Sequence, residues 1–409
     1  MDTHHTTTSC SLCLTKTYRV LPCAVIILII GGYVPLNTAQ TDDPSRPSPI
    51  LPLDIDWSTD LGAPPIHEPA YDDTQVYIPL RNGTLAAVAL TTGAVRWSII
   101  HPTNQSPVVG NEAVIIASDR RLIAFRLTDG ARLWTQELSA EISAPLVWQA
   151  GWLVAGLVDG TIVALRGSDG QPLWQLQIGG PLLIRPSIAD NQLFIPIADG
   201  RVTVLDLGTG TLQWEYALGG SPREILVLDA LFVGSTDNYF YRLSRDDGMV
   251  EWQWRTGGDI IGAARVDENN VYFVSLDNYI RALDRQSGVQ QWRQPLNGRP
   301  TAGPVPVADL LLVAGVAEEV RLFDAGTGFD AGRYLGPSEL GAIPYAVPGL
   351  PDIGPRLILL TGDGRLIGLR RGIGPARFNL ASPRRPLIPV QRFLEPVQPG
   401  SPIPTVPTS

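Results

Sequence analysis

Residues 83–97 read GTLAAVALTTGAVRW, and this stretch returns along the chain at a nearly constant interval. It consists of a turn glycine, a short apolar strand, a polar turn ending in glycine and, after three more residues, a tryptophan. The same order occurs at residues 160–174 and 200–214, and more loosely at 120–134, 238–252 and 278–292. The tryptophans of the repeat are Trp57, Trp97, Trp134, Trp174, Trp214, Trp252 and Trp292. A period of about 40 residues is typical of a repeat architecture.

Each repeat is predicted to contain four short strands bounded by Asp, Asn, Gly or Pro. In the fourth repeat the strands are predicted at 185–189, 192–197, 201–207 and 212–218. Asp-Gly or Asn-Gly between apolar runs favours a tight hairpin, because both central positions need a positive φ. Strands such as FIPIA and VTVLDL are apolar at nearly every position, which predicts small sheets covered on both faces. Four-stranded units of this length, stacked around an axis, describe a β-propeller.

The turn between the second and third strands gives an independent count of the units. It falls at eight positions: Asn82, Asp119, Asp159, Asp199, Asp237, Asp277, Glu318 and Asp363. The sequence therefore predicts an all-β fold, an eight-bladed β-propeller of four-stranded antiparallel blades over residues 54–372. The eighth unit, 346–371, has only three strands, and the strand around Trp57 has no first three of its own. We expect this N-terminal strand to join the last blade and close the ring, which leaves no open edge.

The seventh unit departs from the pattern. No tryptophan follows Gly328 at the repeat spacing, and Tyr334 is the nearest aromatic residue.

The two ends of the chain differ in composition from the repeats. Lys16 and Arg19 precede an apolar run at 20–34, the form of a secretory signal or of a membrane anchor at about 20–36. In either case residues 1–39 would export the repeats to a periplasmic or other extracytoplasmic location. A proline-rich linker follows at 40–53, and the proline- and arginine-rich tail at 373–409 is predicted to be disordered.

Composition argues against several classes of function. The net charge of −9 disfavours nucleic-acid binding, which needs a basic face. All three cysteines, Cys10, Cys13 and Cys23, precede the repeats, so the folded part is expected to lack disulfides, thiolate nucleophiles and cysteine metal sites. His67 and His101 have no metal-ligand spacing, and hairpin turns explain the prominent aspartates. No catalytic residue, cofactor or metal site is therefore predicted.

The segment Asp206-x-x-Thr209-Gly210-x-x-x-Trp214, with its weaker copies, resembles the repeat of quinoprotein-type (PQQ-like) propellers. The resemblance covers roughly residues 55–371 and implies that the repeat tryptophans tie neighbouring blades together. It points to two kinds of protein: dehydrogenases that hold pyrroloquinoline quinone over calcium, and non-catalytic BamB-type propellers of outer-membrane assembly. The cysteine pair and inserted segments of the dehydrogenases are missing here. We therefore expect a monomeric BamB-type scaffold, with quinone and calcium only under the dehydrogenase alternative.

One local match implies a site for a partner. Leu182-Leu183-Ile184-Arg185 resembles the Leu-x-Leu-Arg loop with which BamB-type proteins contact their barrel-assembly partner. The resemblance implies partner contacts by Leu182, Ile184 and Arg185 with envelope proteins, and packing of the apolar members is the alternative. Separately, three tryptophans lie off the repeat positions: Trp148, Trp152 and Trp254. If these tryptophans are exposed, they would mark a face that binds carbohydrate or cell wall. If they are buried, they pack between blades.

Overall fold

The computed structural model of the 409-residue protein describes residues 52–110, 112–316, 318–347 and 357–372. The predicted export segment at 1–39, the linker up to residue 51 and the predicted disordered tail at 373–409 lie outside the described residues. Within the described ranges, no helix combines the length and the hydropathy that crossing a membrane requires.

The described residues form strands joined by tight turns. The strands of the first half are β1 (Leu53–Asp60), β2 (Ala70–Tyr71), β3 (Gln75–Pro79), β4 (Thr84–Ala89), β5 (Val95–Ile100), β6 (Val108–Val109), β7 (Ala113–Ser118), β8 (Arg121–Arg126), β9 (Arg132–Glu137), β10 (Val147–Gln149), β11 (Trp152–Gly156), β12 (Thr161–Arg166), β13 (Pro172–Gln177), β14 (Ser187–Ala189), β15 (Gln192–Pro196) and β16 (Arg201–Asp206). Those of the second half are β17 (Leu212–Ala217), β18 (Pro222–Val227), β19 (Ala230–Ser235), β20 (Tyr239–Ser244), β21 (Val250–Arg255), β22 (Ile260–Val266), β23 (Asn270–Ser275), β24 (Tyr279–Asp284), β25 (Gln290–Pro295), β26 (Val305–Val307), β27 (Leu310–Ala314), β28 (Glu319–Asp324), β29 (Asp330–Leu335), β30 (Tyr345–Ala346), β31 (Leu357–Leu360) and β32 (Arg365–Arg371).

These strands form eight antiparallel sheets of four, which confirms the predicted eight-bladed propeller. Blade one contains β2 to β5, and blades two to seven follow in chain order through β29. Blade eight has the order β1-β32-β31-β30, so the N-terminal strand is its fourth strand. The register runs from Leu53 opposite Arg371 to Asp60 opposite Arg365. The predicted closure of the ring is therefore confirmed.

The hairpin turns between second and third strands form where the sequence predicts them. Several use the side chain of the turn Asp or Asn to accept a hydrogen bond from the backbone N–H two residues on. Examples are Asp159 with Thr161 at 2.9 Å and Asp237 with Tyr239 at 3.0 Å. This local bond stabilises the turn without help from the rest of the fold, which explains the preference for Asp and Asn there.

Hydrophobic burial holds the blades to one another. The middle strands are buried along most of their length, as in β15 and β16, whereas the outer strands alternate, as in β17. The described residues contain eight hydrophobic clusters, one between each pair of adjacent blades. A fully buried side chain such as Phe194 contributes roughly 1.5–3 kcal/mol relative to leaving it exposed. Both faces of the sheets are covered, as the run of apolar positions predicts.

Blade seven has glycine where the other blades have tryptophan. Gly332 pairs with Leu322 in the register that Trp292 has with Ala282 in blade six. Tyr334 lies two residues further along β29. In blade eight the third strand does not turn directly into the fourth, because β32 is followed by the chain beyond residue 372. Among the described strands of blade eight, no turn therefore joins the third strand to the fourth, and a tryptophan of blade seven would have no such turn to pack against.

Candidate functional site

The first strands of the blades surround a central channel. Its wall contains residues from all eight blades and encloses a cavity of about 630 Å³. Cavities of roughly 300–1,000 Å³ are typical of small-molecule sites. Part of the wall is apolar, with Ile184, Val305 and Ile343 among the lining residues. The channel is thus large enough for a ligand or for a side chain of a partner.

Five charged residues line the channel wall, and one of them, Arg223, pairs with Asp259 at 3.2 Å. The other four alternate in sign around the ring. Glu68 precedes β2, Arg185 precedes β14, Glu224 lies on β18 and Arg265 on β22. The Glu68 carboxylate accepts a hydrogen bond from the backbone N–H of Ile343 at 3.0 Å, and Arg265 donates to the carbonyl of Ala264 at 2.9 Å. Among the described residues, none of the four is paired with an opposite charge within 4.0 Å. They face one cavity without closing into ion pairs.

The protein surroundings in the channel disfavour the charged form of each group, although Glu68 and Arg185 remain exposed at the cavity and only Glu224 and Arg265 are partly buried. Desolvation raises the pKa of Glu68, although the hydrogen bond from Ile343 and the charge of Arg185 act in the opposite direction. Burial likewise raises the pKa of Glu224, which Arg265 and Arg185 partly offset. The pKa values of Arg185 and Arg265 are lowered by burial, against the attraction of the nearby carboxylates. The neighbouring charges therefore compensate only part of the lost hydration.

Two tyrosines form another part of the channel wall. The rings of Tyr71 and Tyr345 are stacked with centroids 3.8 Å apart and planes within 7°. The Tyr71 hydroxyl is buried without a hydrogen-bond partner among the described residues, and burial raises the pKa of this phenol. An unpaired buried hydroxyl costs about 1–3 kcal/mol, so this wall holds an uncompensated polar group beside the four charges.

The loop before blade four divides its residues between core and surface. Leu182 is fully buried in the cluster between blades three and four and bridges to Ile197, so it is a packing residue in this structure. Leu183 is 65% exposed, Ile184 is half-buried and Arg185 reaches the channel. Of the residues implied by the resemblance, Arg185 is accessible and Leu182 is not. The exposed leucine is Leu183, which the four-residue match did not single out.

This loop lies at the end of the ring that carries the turns between second and third strands, here named the loop end. The segments that lead from one blade to the next lie at the same end, because each hydrogen-bonds to a neighbouring turn. For example, Ile178 N–H donates to Gly160 O at 3.0 Å, and Leu218 N–H donates to Gly200 O at 2.9 Å. The loop end therefore collects segments from many blades on one rigid base.

The repeat tryptophans reach from one blade into the next. Six indole N–H groups donate to a carbonyl of the following blade: Trp57 to Leu90, Trp97 to Leu127, Trp174 to Leu207, Trp214 to Arg245, Trp252 to Arg285 and Trp292 to Ala325. Trp134 has the same position, but its Nε1 is buried without a partner among the described residues. Each of the seven rings also lies against the turn glycine of the next blade.

The remaining aromatic and imidazole candidates do not form a second site. Trp148, Trp152 and Trp254 are all partly buried and pack against the clusters between blades. These three tryptophans therefore do not form the exposed aromatic face that a carbohydrate site would need. His67 and His101 are partly buried on separate segments, and burial lowers the pKa of His67.

The channel residues do not fit a calcium-held quinone. Calcium takes six to eight oxygen ligands. Among the described residues no three of His, Cys, Asp and Glu converge on one point. The two channel carboxylates, Glu68 and Glu224, instead lie beside guanidinium groups.

Sequence reasoning missed Glu68, Glu224 and Arg265, although a signal was present for Glu68. Glu68 and Arg185 each follow a repeat tryptophan by eleven residues, in a segment where other repeats have Val108, Pro145 or Gly303. A charge at this spacing marks a side chain on the inner part of a blade. Glu224 follows its tryptophan by ten residues and Arg265 follows its own by thirteen, so lining up the repeats on their tryptophans would have found only Glu68 of the three missed residues.

Comparisons with known proteins give a family and a fold. The family model described as Outer membrane protein assembly factor BamB matches residues 54–146, 118–228 and 218–335. BamB from Moraxella catarrhalis is similar in structure, with 19% identity and a TM-score of 0.64 over 79% of this chain and 99% of that one. A quinohemoprotein alcohol dehydrogenase from Pseudomonas putida HK5 has 13% identity and a TM-score of 0.64, covering 81% of this chain and 78% of that one. No curated protein matches the chain significantly.

Proposed function

Because this chain belongs to the family described as outer membrane protein assembly factor BamB, we propose that it is a non-catalytic scaffold of the cell envelope. In this proposal the propeller is exported and stays outside the cytoplasm, held by the segment at about 20–36 where that segment is not removed. It binds other envelope proteins, among them the machinery that assembles outer-membrane barrels. The proposal needs no cofactor.

The observation that carries the proposal is the pair formed by Leu183 and Arg185 at the loop end. Leu183 is 65% exposed although it is a large apolar residue, and covering it would contribute about 2 kcal/mol. Arg185 is exposed and has no carboxylate partner within 4.0 Å among the described residues, so its guanidinium is available for a bidentate contact with an acidic group. An apolar anchor beside an arginine supports docking of a protein.

The test is a pull-down of the tagged full-length protein from gently crosslinked envelopes, with partners identified by mass spectrometry. We expect recovery of a barrel-assembly protein by the wild type and by a chain that lacks 373–409. Arg185→Glu should reduce this recovery at least tenfold. The charge-matched control is Arg132→Glu, which changes an exposed arginine on the outer strand β9. Equal recovery by both variants, or no specific partner for the wild type, would contradict the proposal.

A quinone-binding protein is the second candidate. It is supported by the structural similarity to the quinohemoprotein dehydrogenase and by two guanidinium groups, Arg185 and Arg265, in the channel that could pair with the carboxylates of the quinone. Titration with pyrroloquinoline quinone, with and without calcium, separates the two candidates. Because the described residues form no calcium site, binding at micromolar concentration that does not require calcium would favour this candidate over the scaffold.

A further inference from the structure

Of the four alternating charges of the channel, the scaffold role uses only Arg185 and leaves Glu68, Glu224 and Arg265 without a function. Glu224 is within electrostatic range of both Arg185 and Arg265, and Glu68 is within range of Arg185. Yet no contact within 4.0 Å joins these charges among the described residues, so the space between them is open to the cavity. Both signs of charge are thus available to a ligand in one place.

A ligand with a single charge would satisfy only half of this arrangement. A simple anion bound by the arginines would leave Glu68 and Glu224 without a partner, and a simple cation bound by the glutamates would leave Arg185 and Arg265 without one. A molecule with both charges can direct its carboxylate to the arginines and its ammonium group to the glutamates. It would then give the partly buried Glu224 and Arg265 a charged partner in place of part of their lost hydration.

We propose that the channel binds a small zwitterion, a free amino acid or short peptide whose amino and carboxyl termini are both charged. The carboxylate pairs with Arg185 and Arg265, and the ammonium group pairs with Glu68 and Glu224. The apolar part lies against Ile184, Ile343 and the ring of Tyr345. The cavity of about 630 Å³ is large enough for a dipeptide.

The first test compares three ligands on the wild-type full-length protein by isothermal titration calorimetry. The probes are leucyl-leucine, N-acetyl-leucyl-leucine and leucyl-leucine amide, which are respectively doubly charged, anionic and cationic. We expect leucyl-leucine to bind at least tenfold more tightly than either blocked form. Equal binding of the three, or no binding of leucyl-leucine at millimolar concentration, would overturn the proposal. Tighter binding of the anionic form would show a simple anion site instead.

Two variants then test which residues of the channel wall pair with the carboxylate of the ligand and which pair with its ammonium group. Arg265→Gln should remove the preference for leucyl-leucine over its amide, because the carboxylate loses a partner. Glu224→Gln should remove the preference over the acetylated form. The control is Arg333→Gln, an arginine of the outer strand β29 that lies outside the channel lining. Unchanged preferences in both channel variants would overturn the assignment. Neither variant alters Arg185. A negative result for the zwitterion site would therefore not affect the pull-down test of the scaffold proposal.

Discussion

At the scale of single residues, the contact of tryptophan with glycine joins neighbouring blades. The ring of Trp174 lies over Gly210 of the next blade, where φ is +70° and a Cβ would come within 3.0 Å of the indole. Glycine is needed there both for its backbone conformation and for the space it leaves. Trp134 makes the equivalent contact with Gly170 but lacks the hydrogen bond that Trp174 forms with Leu207. Trp134 therefore contributes packing alone, whereas Trp174 contributes packing and a hydrogen bond.

We predict different costs for the same substitution at these two tryptophans. Trp174→Phe leaves the Leu207 carbonyl without its 2.8 Å donor, whereas Trp134→Phe removes a buried N–H that has no acceptor among the described residues. Both lose similar packing. The free energy of unfolding should therefore fall by about 1–2 kcal/mol more for Trp174→Phe. Denaturant titration followed by circular dichroism measures the difference, and equal costs would show that the hydrogen bond contributes nothing.

The Asp277–Arg281 pair is a buried ion pair inside blade six. The side chains are 15% and 6% exposed, and Ser275 donates a further hydrogen bond to Asp277 at 2.6 Å. Burial alone would raise the pKa of Asp277, but the hydrogen bonds from Arg281 and Ser275 and the charge of Arg281 lower it below its ordinary value of 3.8. The ionised form is therefore favoured by folding.

Asp277→Asn should destabilise the protein at neutral pH by about 3 kcal/mol, because it leaves the Arg281 charge buried and unpaired. A lowered pKa contributes stability above the ordinary value, and this contribution is lost as the pH falls below 3.8 through the folded pKa. The difference in melting temperature between wild type and variant should therefore shrink below pH 3.8. Asp129→Asn, at an exposed turn, is the control and should give a much smaller difference at neutral pH. A constant difference across this pH range would refute the assignment.

At the scale of elements, β1 is the strand on which the ring depends. It pairs with β32 along seven positions and carries Trp57, which donates to Leu90 of blade one and packs on the cluster between blades eight and one. Without β1, the edge of β32 would be open and this cluster would be partly exposed. Open edges of sheets invite pairing with other chains.

We predict that removing residues 1–60 has a much larger effect than removing residues 1–51. The longer deletion takes away Trp57 and the pairing with β32, and should lower the free energy of unfolding by at least about 5 kcal/mol. The shorter deletion retains β1 and should remain monomeric with an unchanged melting temperature. Light scattering after gel filtration and thermal unfolding give the comparison. The same behaviour of both chains would mean that β1 does not close the ring.

At the scale of the whole molecule, the fold was predictable because its local signals repeat. A turn aspartate such as Asp159 acts through bonds to its own neighbours, so its role can be read without knowing the tertiary structure. The closure by β1 followed from counting, since an incomplete first unit and an incomplete last unit complete each other. The absence of a tryptophan at the Gly332 position was also visible in the sequence. The structure was needed to show that the next blade lacks the turn against which such a tryptophan would pack.

The channel could not be predicted in the same way. Glu68, Arg185, Glu224 and Arg265 are far apart in sequence and share no motif, because each belongs to a different blade. Only the radial arrangement of the blades brings them to one cavity. For the loop before blade four, the four-residue pattern did not reveal that Leu182 enters the core and Leu183 faces outward. That orientation depends on the bridge between Leu182 and Ile197.

The pairing of the first strand with the last also has a consequence for biogenesis. As the chain is made from its N-terminus, β1 precedes the other described strands, and its partner β32 follows roughly 300 residues later, the least local strand pairing among the described residues. Until then the nascent chain has exposed edges and is vulnerable to aggregation and proteases. A product whose synthesis stops before β32 cannot form the pairing between β1 and β32 that closes the ring. Completion of the ring therefore distinguishes a finished chain from a truncated one.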